Sequence, residues 1–409
     1  MRYFLLIIGI CVVAVTQAAT IKVCDACNVK SISAAISQSL PGDTLFIAKG
    51  IYKEGNIVVD KPLVLIGKDY PVVDGENNTE IFTITSDSVS IIGFQIQNVG
   101  ISYTVDRAGI NVVRSKYVRI ENNRLINTFF GVYLQKSSHC LIKNNVIIGN
   151  AIEEMSSGNA IHLWYSKNTR IEDNDVRKHR DGIYLEFVDE SEIIGNHSEG
   201  NIRYGLHFMF SNKDNYVGNT FKDNGAGVAV MFSRDIVMDN NHFDHNWGTT
   251  AYGLLLKEIY DGEIKNNRFT TNTTAIYGES ATRLKITNNT FEQNGWALRL
   301  LGSCMDNTIS ANNFFDNTFD VATNSSRNYN NYNGNFWNEY AGYDLDKDGV
   351  GDVPHRPVKL FSYMVTRSES SIILLRSLFI DLLNFAEKVT PVFTPETLMD
   401  ERPLMKPLL

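Results

Sequence analysis

A unit of about 22 residues recurs through the middle of the chain, and no other feature restricts the fold as much. Anchored on a small residue followed by an aliphatic one, it starts at Gly109, Gly131, Ala160, Gly182, Gly205, Gly227, Gly253, Ala275 and Ala297, at intervals of 22, 29, 22, 23, 22, 26, 22 and 22. Fourteen residues after each of the first eight anchors stands an asparagine, from Asn123 to Asn289, and eleven residues after them an apolar side chain, from Ile120 to Ile286. Each unit is three short alternating runs separated by turn residues, too short for a useful helix and too regular for a sandwich. One unit cannot bury its apolar side alone, whereas stacking at about 4.8 Å per rung builds interior columns of Ile, Leu, Val and Phe. The fold class is therefore all-β, a right-handed parallel β-helix. The asparagine column reads as structural, since a corner Asn takes the left-handed conformation and bonds to its counterpart one coil on.

Composition fits a large core. Of 409 residues, 43% are hydrophobic and 21% charged, which excludes a disordered polymer. Thirty-eight basic against 46 acidic residues, with no basic run, lack the electrostatic footprint of nucleic-acid binding. Residues 1–18 read as a secretory signal: Arg2, an apolar stretch from Tyr3 to Val15, and a small-residue cleavage site at Thr16-Gln17-Ala18. That stretch is short beside the roughly 20 residues a membrane span needs. A cap helix over Ser31 to Gln38 plugs the open end, the β-helix occupies 19–343, an acidic loop 344–362, and a helical and extended tail 363–409.

Alternation within the anchor strand sends residues two and four after each anchor outward. Rungs 160 to 227 thereby place His162, Glu186, His207, Met209 and Met231 on one exposed face, with Ala229 leaving room beside His207. Imidazole and thioether suit copper, and thioether favours Cu(I), whereas calcium or magnesium would call for oxygens. The same residues also suit an apolar protein interface. Insertions at Ala151–Asn159 and Trp247–Tyr252 fall at one corner and frame this face.

Three further features stand apart. Cys24-Asp-Ala-Cys27 has redox or metal spacing, with a local disulfide as the plainer reading in an oxidising compartment, while Cys140 and Cys304 lie too many coils apart to pair. Asp344, Asp346, Asp348 and Asp352 fall at positions 1, 3, 5 and 9 of a calcium loop with Gly349 at the turn, but position 12 is His355 rather than Glu. Ser370 to Val389 reads as an apolar helix whose Leu375, Leu378, Phe379 and Leu382 cap the last coil or dock on a partner. A rival class, a carbohydrate-binding or polysaccharide-degrading β-helix, would draw on Asp173, Asp175 and Asp181, although no opposed carboxylate pair is legible.

The strings His179-Arg-Asp-Gly-Ile-Tyr-Leu-Glu-Phe187, Arg203-Tyr-Gly-Leu-His-Phe-Met-Phe-Ser211, Gly227-Val-Ala-Val-Met-Phe-Ser233, Tyr252-Gly-Leu-Leu-Leu-Lys-Glu258, Gly342-Tyr-Asp-Leu345 and Leu374-Leu-Arg-Ser-Leu-Phe379 closely resemble the NosD family of periplasmic proteins. The resemblance covers essentially all of the chain after the signal. It implies a non-enzymatic accessory protein that serves an ABC transporter permease and delivers copper, or helps assemble a copper-sulfide cluster, in nitrous oxide reductase. Copper would be held transiently as Cu(I) and exchanged with a copper chaperone or the client enzyme, at a membrane reached through the transporter. The Cys24 pair has no place in that family pattern.

Overall fold

The computed structural model describes residues 19–102, 104–375, 377–389, 394–395 and 397–408, so the expected signal segment lies outside the described residues. A short helix, α1 (Ile32–Gln38), starts where Ser31 Oγ accepts a hydrogen bond from the Ala34 amide, and it buries Ile32, Ala35 and Ile36. The chain then winds as a parallel β-solenoid of about 14 turns. Successive coils add strands to three sheets of 14, 13 and 12 strands. Register is uniform: Ile183 lies beside Leu206 and Leu206 beside Val228. Ile183, Leu185, Leu206, Phe208, Val228 and Val230 are all fully buried. On another wall of the interior Phe221, Phe243, Phe269, Phe291, Phe314 and Trp337 stack at 4.1 to 5.5 Å.

The asparagine column is a hydrogen-bonded relay. Each member donates both its backbone N–H and its Nδ2 to the Oδ1 of the next, as Asn174 does to Asn196 at 3.0 and 2.9 Å and Asn196 to Asn219 at 2.9 and 3.0 Å. The left-handed backbone belongs not to these residues, as the sequence suggested, but to the residue before each: Asn122, Asn144, Asp173, Gly195, Gly218. Doubled Asn-Asn therefore divides the work, the first turning the corner and the second bonding along the axis. A second relay at another corner runs through Asn201, Asn224, Asn246, Asn272, Asn294 and Asn317.

Anchor glycines are required because their missing side chain would point inward. A Cβ on Gly182 would lie 2.2 Å from Ser198 Oγ and 2.5 Å from the Gly205 carbonyl. Glycine and the following aliphatic residue thus both face the core, so strict alternation fails at the strand start and the residue before the glycine faces out.

The tail departs from the expected domain plan. Residues 398–408 belong to the solenoid: Asp400 bridges to Tyr332 and Leu404 to Phe336, completing the last coil. Asp400 is fully buried and accepts from Gly334 N, Asn335 N, Asn335 Nδ2 and Trp337 Nε1 at 2.9 to 3.0 Å. The helix expected over Ser370 to Val389 is two pieces, a 3-10 stretch Glu369–Leu374 and a helix that begins at Leu378. With α2 (Leu360–Arg367) and α3 (Leu378–Val389), these pack beside the final coils through Phe319, Phe361, Val365 and Ile380.

Candidate functional site

The 12-stranded sheet carries the face that the sequence singled out. Two columns cross it in register: Tyr133, His162, Tyr184, His207, Ala229, and Trp164, Glu186, Met209, Met231, Lys257. Met209 and Met231 are direct neighbours on adjacent rungs, and His207 lies two residues before Met209 on the same strand. Glu186 sits one rung before Met209.

His162 does not join them. Its ring packs 4.5 Å from Tyr133, 5.6 Å from Phe130 and 4.7 Å from Tyr184, and Tyr184 in turn lies 4.7 Å from His207. The two imidazoles are therefore separated by a tyrosine rather than brought together. Nor are they exposed, as alternation implied: His162 is 7% and His207 5% accessible. Aromatic neighbours wall them in, Phe130, Tyr133 and Tyr184 around His162 and Tyr184 and Tyr204 around His207, whereas Glu186, Met209 and Met231 stay partly open.

Around His207 the structure builds a charged network that alternation missed. Arg203 clamps the buried Asp181 with both arms, Nε to Oδ1 at 2.9 Å and Nη2 to Oδ2 at 2.6 Å. Its Nη2 also lies 3.3 Å from His207 Nδ1, and its Nη1 lies 3.3 Å from Glu154 of the insertion. Burial raises the Asp181 carboxyl, but the bonds from His207 and Arg203 and the Arg203 charge outweigh it and hold the group below its ordinary value. Burial, helped by the Arg180 charge, pushes His162 down to about 3, so this imidazole is neutral. Asp181 was hidden because it precedes Gly182, where two inward residues in succession reverse the alternation; the Gly-Ile pair was the available signal.

Buried polar atoms without a partner are concentrated here. They include both nitrogens of His162, Nε2 of His207, Nε of Arg180, and both amide atoms of Asn159, the residue before anchor Ala160. A donor set of free imidazole nitrogen and two thioethers suits a soft monovalent cation and fits poorly to hard ones. The face is bordered by an aromatic ladder, Tyr165, Phe187, Phe210 and Phe232, stacked at 4.5 to 5.0 Å. All four have left-handed backbone, uncommon for bulky residues.

The remaining predicted residues lie elsewhere. Cys24 and Cys27 are joined in a disulfide at the N-terminal tip, while Cys140 and Cys304 are buried free thiols. Asp344, Asp346 and Asp348 bring one carboxylate oxygen each within 4.8 Å of one another. Asp352 instead accepts from the Leu345 amide at 2.7 Å. Leu378, Phe379 and Leu382 are 75, 58 and 59% exposed on α3, and Leu375 packs inward. Among the described residues no helix is long and apolar enough to cross a membrane. The acids of the carbohydrate reading are each held by a cation: Asp173 by Lys143, Asp175 by Arg177, Asp181 by Arg203.

A β-solenoid presenting a soft-donor face beside an aromatic ridge defines a binding protein built as a rigid scaffold. The family model described as "Periplasmic copper-binding protein (NosD)" matches residues 36–156 and 149–342, and the chain belongs to that family. A probable ABC transporter binding protein NosD from Pseudomonas aeruginosa is 29% identical over 88% of this chain and 87% of its own. Its counterpart from Stutzerimonas stutzeri is 28% identical over 86% and 85%. Among solved structures, an N-terminal fragment of bacteriophage Phi29 gene product 12 aligns with a TM-score of 0.55, 11% identity, and 73% and 67% coverage of this chain and its own. The A-module of the Azotobacter vinelandii mannuronan C-5 epimerase AlgE6 gives 0.53, 12%, 71% and 90%. These two likenesses concern the fold alone.

Proposed function

We propose that this protein receives Cu(I) on the face formed by His207, Met209 and Met231, passes it on, and works beside an ABC transporter permease during maturation of nitrous oxide reductase. The observation that carries the reading is the in-register Met209–Met231 pair next to His207, whose Nε2 has no partner. Its Nδ1 faces Arg203 Nη2 at 3.3 Å and Asp181 Oδ2 at 3.8 Å, so the ring is held from that side. With a proton on Nδ1, directed at the Asp181 carboxylate, the ring would turn its Nε2 lone pair toward a soft cation. Glu186 lies within one rung as a further donor, and His162 serves as a buried support behind Tyr184 rather than as a ligand in the same shell. Thioether ligands protect Cu(I) in an oxidising compartment and hold it loosely enough for transfer. The aromatic ladder gives a chaperone or client an apolar edge to rest on.

The exposed Leu378, Phe379 and Leu382 stripe supports docking to the permease. Removal of residues 1–18 would leave the amino group of Ala19 2.8 Å from the Asp43 carboxylate, which supports processing at that bond. The Asp344, Asp346, Asp348 loop is a calcium staple, braced on the returning tail through Met405 N to Gly349 O. A His207→Ala, Met209→Ala, Met231→Ala variant should stay folded, lose Cu(I) affinity by at least about tenfold and fail to support reductase maturation. Wild-type copper binding together with wild-type maturation would end this reading. Lost maturation with intact copper binding would make the face a protein interface instead.

A further inference from the structure

Neither the solenoid nor the copper face uses the Cys24–Cys27 pair. The disulfide is a poor staple. It closes a loop with a sequence separation of 3, where the entropy removed from the unfolded chain is smallest. The segments on both sides are pinned without it. Thr20–Val23 pairs with Thr44–Ile47 along its whole length, Val23 is fully buried, and Val23 bridges to Val29. Cys24 N donates to Val29 O at 3.2 Å, Cys27 N to Cys24 O at 3.0 Å, and the amides of Ile32 and Ser33 are held by Glu54.

The pair is also placed for exchange. Cys24 and Cys27 are partly exposed on a turn whose Asp25, Ala26 and Asn28 face solvent. The two free thiols behave oppositely: Cys140 and Cys304 are buried, and burial pushes Cys140 up to about 11. Along the axis, the 14 strands of the first sheet set the cysteine turn about 60 Å from the C-terminal coils and their helices. It projects from the end of the rod away from those helices, where a diffusing donor has access.

We infer that Cys24 and Cys27 form a second, redox-gated Cu(I) site. In the disulfide form the sulfurs offer no thiolate. A dithiol donor supplies two electrons and two protons, is itself oxidised to a disulfide, and leaves two cysteine thiols on this chain. Binding of Cu(I) then displaces their protons and gives a bis-thiolate complex, the donor type that most strongly selects Cu(I). Reoxidation of the emptied pair returns two electrons to a disulfide oxidant and closes the site. The inference rests on copper being the cargo, but it concerns different residues from the face.

The test uses the full chain after signal removal, in disulfide form and after reduction with a dithiol that is then removed, titrated anaerobically with Cu(I) against a chromophoric chelator. The reduced wild type should take up one further Cu(I) per chain, with thiolate-to-copper absorption in the ultraviolet. That increment should vanish in Cys24→Ser, Cys27→Ser and persist in His207→Ala, Met209→Ala, Met231→Ala. Equal uptake by oxidised and reduced wild type overturns the inference, and so does an increment that survives in the serine variant, which would belong to Cys140 or Cys304. Thermal melting supplies the second readout. The serine variant should melt within a few degrees of wild type, and a collapse would make the bond a structural staple. If the triple variant binds as wild type in the oxidised state while the reduced increment remains, the face reading falls and the cysteine site stands.

Discussion

His179 shows how single residues on this scaffold answer to pH. It is fully enclosed, donating from Nδ1 to the Arg177 carbonyl at 3.0 Å and accepting at Nε2 from Thr128 Oγ1 at 3.3 Å. Burial lowers it to about 4, against about 6.5 for a free imidazole. Between those values the unfolded chain takes up a proton that the native chain refuses. Its contribution to stability is therefore complete above pH ~6.5 and falls as pH drops, by about 1.4 kcal/mol per unit, levelling off near 4. Urea titrations from pH 7.5 to 4.5 should show a shallower decline in His179→Gln than in wild type; parallel curves would contradict the burial argument. The charged network at Asp181 works in the same direction but further into the acid range, since its lowered carboxyl keeps its stabilisation above the ordinary carboxylate value and gives it up as pH falls below that.

At the level of the element, each corner is held by side chains that replace the bonds a strand would otherwise make. Asn196 is one such member: its Nδ2 donates to the Ile171 carbonyl at 2.8 Å, and its Oδ1 receives both donors of Asn174. Asn196→Leu leaves several buried polar groups unpaired, each costing about 1–3 kcal/mol, so a loss of about 3 kcal/mol or more is expected in denaturant melts. A loss under about 1 kcal/mol would mean water replaces the side chain. This level was also the most legible. The anchor spacing and the Asn offset fixed the coil, its inward residues and the facing of His207, Met209 and Met231, because period-two alternation holds through the strand. What stayed hidden follows from where that period breaks. Asp181 lies beyond the Gly182 kink and Arg203 reaches it across a rung, whereas the second Asn relay was legible and passed over, since Asn201, Asn224, Asn246, Asn272 and Asn294 each stand 19 residues after an anchor. Burial of His162 and His207 could not be read from alternation, which gives a side chain's face but not what covers that face.

For the whole molecule, the ends decide whether a stack of like coils is stable. At the first coil α1 covers the interior; at the last, residues 398–408 return to do so. A chain ending at residue 397 would expose Trp337 and the final Asn335, and should lose its C-terminal coils first, as limited proteolysis would reveal; a protease-resistant product of full solenoid length would refute this. Asp400→Ala takes the acceptor from five donors, the Arg402 amide among them, and should fray the same coils. The choice of aspartate has a larger meaning. Every Asn in the relay receives from the coil before it and gives to the coil after it, so the series has a direction and no intrinsic end. A carboxylate receives and gives nothing. Asp400 is the full stop in a sentence that asparagine would continue, and it turns a repeat able in principle to recruit another chain into an object of fixed length.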